Sequence, residues 1–135
     1  MQLNPYVIYD GQCEAAFRLY ERCLGGKLEM LTHAESPMAD QAPAGWGKKI
    51  MHARLEVDGW VLMGSDAPPG HHETPQGFSV TLGVDSPAEA ERVFNGLAEG
   101  GTVRMPLQKT FWAASFGMLV DRFGTPWMIN CEGGA

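Results

Sequence analysis

The 135-residue sequence predicts an α+β fold in which one module, a strand followed by a helix and three more strands, occurs twice. At a shift of 75 residues the chain repeats itself, with identities at Asp10 and Asp85, Glu14 and Glu89, Ala15 and Ala90, and the glycine pairs 25–26 and 100–101. The matched stretches VIYDGQCEAAFRLYERCLGGKLEM and LGVDSPAEAERVFNGLAEGGTVRM both show strand, turn, amphipathic helix, double glycine and strand patterns. A duplicated module favours a binding site between the halves.

Both helices are predicted from apolar spacing and end signals. In the first, over about 12–24, residues at helical spacing form an apolar face: Cys13, Ala16, Phe17, Tyr20 and Leu24. The second, over about 87–98, begins with a capping serine at Ser86, proline at Pro87 and a glutamate at Glu89 that can reach back. Gly25 and Gly100 are suited to end the two helices.

Strand patterns follow each double glycine. They are KLEMLTHA, KIMHARLEV and, after the turn Asp58-Gly59, WVLMGS in the first half, then TVRMPLQ, FGMLVD and TPWMINC in the second. We expect a single domain, residues 1–135, with module one at about 1–66, a linker at about 67–77 and module two at about 78–135. The polar stretch 35–47 predicts a long loop, which is either a lid or slack.

Composition and charge exclude several classes of protein. A net charge of -6, with lysine and arginine scattered, argues against nucleic acid as a partner. The apolar stretches are shorter than the roughly 20 residues of a membrane-spanning helix, and the N-terminus has no secretory signal pattern, so we expect a cytoplasmic protein. Cys13 and Cys23 would lie about 15 Å apart along one helix, too far for a disulfide, so free thiols are expected.

The stretches NPYVIYDGQCEAAFRLYERCLGG, IMHARLEVDGWVLMGSD and TFWAASFGMLVDRFGTPWMIN together resemble the PhnB-like branch of the vicinal-oxygen-chelate superfamily. This superfamily includes glyoxalases, extradiol dioxygenases and bleomycin- or fosfomycin-resistance proteins. The most specific piece, residues 121–127, is similar to the DPFG-x-x-W hairpin of many members, with Arg122 in the proline position. The resemblance implies paired βαβββ modules whose curled mixed sheets surround a cup-shaped cleft for a small organic molecule, commonly in a homodimer.

Metal-dependent members carry one His, Gln or Glu ligand on the first and last strands of each module. In this chain the resemblance places those positions at Pro5, between Met63 and Ser65, at Ser79 and at Met128. Proline and methionine offer neither a hard oxygen nor an imidazole, and a serine is a feeble neutral ligand. We therefore expect no metal site of the usual kind and no cofactor.

The sequence identifies no catalytic residue, and His52 is a candidate because an imidazole on the cleft side of a strand can carry a proton at neutral pH. The reading that we favour is a structural histidine bonded to backbone or to a partner subunit. His71 and His72 lie in the Pro/Gly-rich linker and are expected to be solvated. Candidate substrate-binding residues follow from the cup geometry: Tyr9, His52, Ser65, Ser79, Phe111, Trp112, Met128 and Asn130.

Two choices stay open at this point. On the first strand Val7 and Tyr9 share one face while Tyr6 and Ile8 share the other, and the sequence does not show which set faces the cleft. Phe111 and Trp112 are suited to form aromatic walls of a pocket, but ordinary core packing explains them equally well.

Three functions are compatible with these observations. The first is a metal-free, glyoxalase-like small-molecule binder or enzyme of undetermined reaction. The second is a divalent-metal lyase, isomerase or dioxygenase with displaced ligands, in which His52 and residues of a partner chain would complete the site. The third is a drug-sequestering protein of the bleomycin-resistance type. A methyltransferase is not expected, because no glycine-rich strand-to-helix turn is present.

Overall fold

Each half of the sequence folds into a mixed sheet with one helix, which confirms the predicted α+β class and the duplication. The computed structural model describes residues 1–37 and 39–132. In that part of the chain there are two four-stranded sheets, neither of them closed, and two α-helices. Two units, Met1–Glu73 and Thr74–Ala135, hold one sheet and one helix each. Met38 of the predicted loop 35–47 and residues 133–135 of predicted module two lie outside the described residues.

The first unit contains one helix and four strands, with bounds β1 Tyr6–Tyr9, α1 Cys13–Leu24, β2 Lys27–Thr32, β3 Ile50–Val57 and β4 Trp60–Asp66. The sheet order is β1-β4-β3-β2, with β1 parallel to β4 and the other pairs antiparallel. Asp58 and Gly59 both have positive φ, as a two-residue turn between paired antiparallel strands requires. The predicted turn is therefore confirmed.

The second unit repeats this plan with bounds β5 Val80–Val84, α2 Pro87–Ala98, β6 Thr102–Gln108, β7 Ser115–Val120 and β8 Pro126–Cys131. Its sheet order is β5-β8-β7-β6, again with one parallel pair, β5 with β8. Because β5 corresponds to β1 and β8 to β4, the two sheets share one topology. The repeat seen in the amino-acid sequence is thus also a repeat of three-dimensional structure.

The second glycine of each double-glycine pair is required by close backbone approach. A Cβ at Gly26 would collide with the carbonyl oxygen of Glu56, and one at Gly101 with that of Val120. The first glycine of the pair is favoured for a different reason, which is that it ends the helix with positive φ. Gly25 has φ 74°, and its N–H donates a hydrogen bond of 2.8 Å to the Glu21 carbonyl at the end of α1. These two demands explain why the pair recurs after both helices.

The two helices begin by different means. The side chain of Ser86 accepts a hydrogen bond of 3.1 Å from the N–H of Glu89, and the Glu89 carboxylate accepts 3.2 Å from the N–H of Asp85, as the sequence predicts. Helix α1 has no such local cap. Instead Asp66, at the end of β4, accepts 2.9 Å from the N–H of Cys13 and 2.8 Å from that of Ile50. The buried carboxylate therefore ties the helix start to the sheet.

Candidate functional site

Each sheet has one face packed on its helix and one face that the helix of its unit does not cover. In the first unit, α1 packs over Gly64, where a Cβ would lie 2.7 Å from Phe17, and Tyr9 meets Phe17 edge-to-face with ring centroids 6.0 Å apart. Strand alternation then places the neighbouring residues on the opposite face. We call this set the helix-free face of the first unit: Tyr6, Ile8, His52, Arg54, Met63 and Ser65.

The open choice on β1 is resolved by these contacts. Val7 and Tyr9 are directed to the helix side, and Tyr9, only 1% exposed, donates 3.1 Å from its hydroxyl to that of Tyr20. Tyr6 and Ile8 lie on the helix-free face and are exposed. The candidate ligand residue Tyr9 thus lies in the core of its unit. It is on the opposite side of the sheet from His52 and Ser65.

His52 contacts Tyr6, a residue of the β1 set whose direction the sequence leaves open. Its Nδ1 lies 3.5 Å from the hydroxyl of Tyr6, and the two ring centroids are 5.8 Å apart. Tyr6 is 44% exposed and His52 is half-buried, so both rings can meet solvent or a ligand. Two residues further along β3, Arg54 forms an ion pair of 3.1 Å with Glu56. The face thus presents the hydrogen-bonding groups of Tyr6 and His52 beside the ion pair of Arg54 and Glu56, in which the two charges cancel.

The second unit has a corresponding face. Helix α2 packs over Gly117, where a Cβ would lie 2.7 Å from Phe94, so the strand neighbours of Gly117 are directed the other way. Register pairs then place side chains in rows across β5, β8 and β7. We call this set the helix-free face of the second unit: Thr81, Gly83, Phe116, Met118, Met128 and Asn130.

An aromatic cluster borders this face. Phe111 and Trp112, in the loop between β6 and β7, are 98% and 48% exposed, which distinguishes them from core residues. Their rings meet edge-to-face with centroids 4.8 Å apart, and Trp112 meets Phe116 in the same way at 5.2 Å. Two of the three rings thus stay accessible while Phe116 anchors the cluster to the sheet.

Asn130 lies opposite Phe116 in the register of β7 and β8. Its side-chain oxygen Oδ1 is buried, and none of the residues in 1–37 and 39–132 donates a hydrogen bond to it. Burying an acceptor that makes no hydrogen bond costs free energy, because the acceptor loses its bonds to water. This atom is therefore a candidate hydrogen-bond acceptor for a ligand.

The remaining candidates have simpler placements. Ser65 is half-buried on β4, beside Ile8 in the register, and Ser79 is half-buried just before β5. His71 is exposed and His72 half-buried in the irregular stretch that follows β4. Cys13, Cys23 and Cys131 are free cysteines, as predicted for the first two.

The residues at the family's ligand positions do not fit a divalent cation. Pro5 and Met128 have no oxygen or nitrogen ligand, and Ser65 and Ser79 contribute only neutral hydroxyls. Within the described part of the chain, no three His, Cys, Asp or Glu side chains are grouped so that they could hold a metal ion. Neither described helix has the length and apolar character needed to cross a membrane.

Two βαβββ units, each with a helix-free sheet face, define a protein of the glyoxalase fold class. Residues 2–129 match the model of the Glyoxalase/Bleomycin resistance protein/Dioxygenase superfamily, and the chain belongs to that superfamily. Protein YjdN of Escherichia coli (strain K12) is 37% identical over an alignment of 139 positions, gaps included, which covers 96% of this chain and 95% of YjdN.

Solved structures agree with this assignment. The crystal structure of protein PA1353 from Pseudomonas aeruginosa has 56% sequence identity and a TM-score of 0.90, with 98% of both chains covered. A PhnB protein from Bacillus cereus, named a putative 3-demethylubiquinone-9 3-methyltransferase, shares the fold at 22% identity and a TM-score of 0.80, covering 97% of this chain and 99% of its own. At this identity the comparison shows a shared fold.

Sequence reasoning missed three residues of these faces. The sequence predicts Tyr6 only as an alternative to Tyr9, predicts Phe116 only as part of a strand, and assigns no role to Gly83. A signal existed for Gly83, because an isolated glycine inside a strand marks a bulge or a close approach. No comparable signal marks Phe116, since its position opposite Asn130 depends on strand register.

Proposed function

We propose that the protein binds a small organic molecule on the helix-free faces of its sheets, without the divalent-metal site usual among metal-dependent members of its superfamily. The observation that carries the proposal is that four candidate ligand residues, chosen from sequence, lie on these faces: His52, Ser65, Met128 and Asn130. Turnover is compatible with this reading, with His52 as the candidate proton carrier, but no reaction is assigned.

The character of the second unit's helix-free face supports an organic ligand. Aromatic rings and thioethers share this face with one unpaired side-chain oxygen, a combination in which apolar contacts supply affinity and a polar atom fixes orientation. In the first unit, Tyr6 and His52 supply a polar pair that can contact an oxygen or nitrogen of a ligand.

The methyltransferase name of the Bacillus cereus protein is not carried over to this chain. Dinucleotide-like and nucleoside cofactors are commonly held by a glycine-rich turn between a strand and a helix. Here the two such turns contain Asp10-Gly11-Gln12 and Asp85-Ser86, and neither is glycine-rich.

The experiment is a thermal-shift screen of a fragment library against the purified protein, with and without EDTA, followed by metal analysis and product analysis of the hits. We expect hits that persist in EDTA and a protein that contains less than stoichiometric metal. Stoichiometric protein-bound metal that is required for ligand binding would favour the alternative of a metal enzyme with displaced ligands. Nanomolar binding of a drug without product would favour sequestration. A library without any hit would contradict small-molecule binding.

We also propose that the protein is a cytoplasmic homodimer. The edge strands of each sheet, β2 and β6 among them, carry backbone groups that a second copy can cover, and three free cysteines suit a reducing compartment. Light scattering at micromolar concentration and cell fractionation test these statements. Monomer alone, or protein recovered outside the cytoplasm, would contradict them.

A further inference from the structure

Gly83 is a glycine that the fold itself does not require. The strands of the described residues contain three glycines, and two of them lie under helices: a Cβ at Gly64 would lie 2.7 Å from Phe17, and one at Gly117 would lie 2.7 Å from Phe94. A Cβ at Gly83 would meet nothing within 4 Å, and its φ is not in the left-handed region. Glycine weakens a strand, so a glycine at position 83 needs an explanation other than packing within the chain. Close approach of a ligand to the strand is such an explanation.

The neighbours of Gly83 indicate what that ligand would meet. Gly83 pairs with Asn130 across β5 and β8, and Asn130 pairs with Phe116 across β8 and β7. These three residues form a row on the helix-free face, about 10 Å from end to end at the usual strand spacing. The open space at Gly83 thus lies next to Asn130 in the register, and Asn130 has Phe116 as its neighbour on the other side.

We infer that the row Gly83, Asn130 and Phe116 binds a flat aromatic group that carries an N–H or O–H donor. This inference rests on the proposed function and names the class of its ligand. The ring lies over Gly83, where a side chain would exclude it, and its edge or face meets Phe116 and Trp112. The donor pairs with Oδ1 of Asn130, which a rotation of the half-buried Asn130 side chain brings to the ligand, because in the unliganded chain this oxygen is buried without a partner.

The class of ligand is tested with two probes of equal shape. Indole carries a ring N–H, whereas benzofuran has an oxygen in the same place and cannot donate. Their dissociation constants are measured on the full chain by titration in ¹⁵N–¹H correlation spectra. We expect indole to bind about tenfold more tightly, because benzofuran leaves the Asn130 oxygen without a donor.

Three variants locate the site. Gly83→Leu is expected to weaken indole binding at least tenfold by filling the space beside Asn130. Asn130→Leu is expected to abolish the preference for indole over benzofuran. Thr102→Leu is the control: Thr102 pairs with Val120, so this variant places the same leucine side chain on the same face at the opposite edge strand, and it should leave both affinities unchanged.

The outcomes separate this inference from the proposed function. Equal affinity for both probes, a preference for benzofuran, or unchanged binding in folded Gly83→Leu would overturn the inference while other fragment hits leave the proposed function standing. A change of oligomeric state in Gly83→Leu alone would also overturn it, because a second copy would then occupy the space. If Gly83→Leu fails to fold, Asn130→Leu decides. If neither probe nor any library fragment binds, both proposals fall.

Discussion

Trp127 donates a hydrogen bond of 2.9 Å from its indole Nε1 to Oδ2 of Asp121, and both side chains are buried. The other carboxylate oxygen accepts from the N–H of Phe123 at 2.8 Å and of Thr125 at 3.0 Å. One carboxylate therefore organises the hairpin between β7 and β8. The same hairpin carries the most specific part of the family resemblance, so that part of the motif has a structural reason.

Replacing this carboxylate is expected to destabilise the fold strongly. Asp121→Ala removes the carboxylate that accepts hydrogen bonds from three N–H groups. We therefore expect the free energy of unfolding to fall by about 3 kcal/mol or more. Urea unfolding monitored by circular dichroism measures the change. Asp10→Ala, at an exposed position, is the control and should cost less than about 0.5 kcal/mol. Equal losses in the two variants would contradict the role assigned to Asp121.

The strand and loop glycines of the second unit differ in a way that alanine substitution can test. Gly101→Ala places a methyl group against the carbonyl of Val120 and should lower the free energy of unfolding by about 2 kcal/mol. Gly83→Ala meets open space and should be neutral or stabilising by up to about 1 kcal/mol. Thermal and urea unfolding of both variants check this difference. A Gly83→Ala variant as unstable as Gly101→Ala would show that Gly83 is kept for folding.

The pair of Tyr6 and His52 is expected to contribute little to stability. Both residues lie at partly exposed positions and their hydrogen bond is long, so Tyr6→Phe should change the free energy of unfolding by less than about 0.5 kcal/mol. Urea unfolding of this variant distinguishes a functional pair from the structural histidine that the sequence left as an alternative. A loss above about 1.5 kcal/mol would favour the structural role.

The thiol of Cys13 is expected to be inert in the folded protein. Burial first, and then the nearby carboxylates of Asp66 and Glu14, raise the pKa of Cys13 well above its ordinary value of 9.0. Iodoacetamide at pH 8 should therefore modify half-exposed Cys23 first, and Cys13 only on unfolding. Mass spectrometry after digestion identifies the modified thiol, and Cys23→Ser should remove the fast reaction. Early modification of Cys13 would contradict this placement.

The same raised pKa has a consequence for stability in alkali. Above pH 9.0 the unfolded state loses the Cys13 proton while the folded state keeps it, so folding stability falls as pH rises. Relative to Cys13→Ala, the wild-type free energy of unfolding should decline more steeply between about pH 9 and 10.5, by up to about 1.4 kcal/mol per pH unit. Equal slopes from urea unfolding would show that this thiol ionises equally in both states.

The elements could be predicted from sequence because their signals are local. Helix α2 begins at Pro87, where the Ser86 cap indicates, and the Asp58-Gly59 turn lies between the strands that it was expected to join. The start of α1 could not be predicted in the same way. Its first N–H is capped by Asp66, a residue 53 positions away, and such a contact leaves no local pattern in the sequence.

The candidate site was less accessible to sequence reasoning because strand faces depend on tertiary packing. Whether Tyr6 or Tyr9 shares a face with His52 is decided by which side of the sheet α1 covers. Likewise, the sequence predicts Asn130 only as a polar residue of the last strand, whereas its place between Gly83 and Phe116 follows from strand register. The sequence therefore predicts which types of residue line the candidate site, but it does not predict which of them lie next to one another.

The most direct test of the central claim is the ¹⁵N–¹H spectrum of the wild-type protein titrated with indole. We predict that the largest shifts fall on the backbone amides of Gly83 and Phe116 and on the side-chain amide of Asn130, with saturation at millimolar indole or below. Shifts confined to other parts of the chain, or no shifts at millimolar indole, would contradict a ligand site on the helix-free face of the second unit.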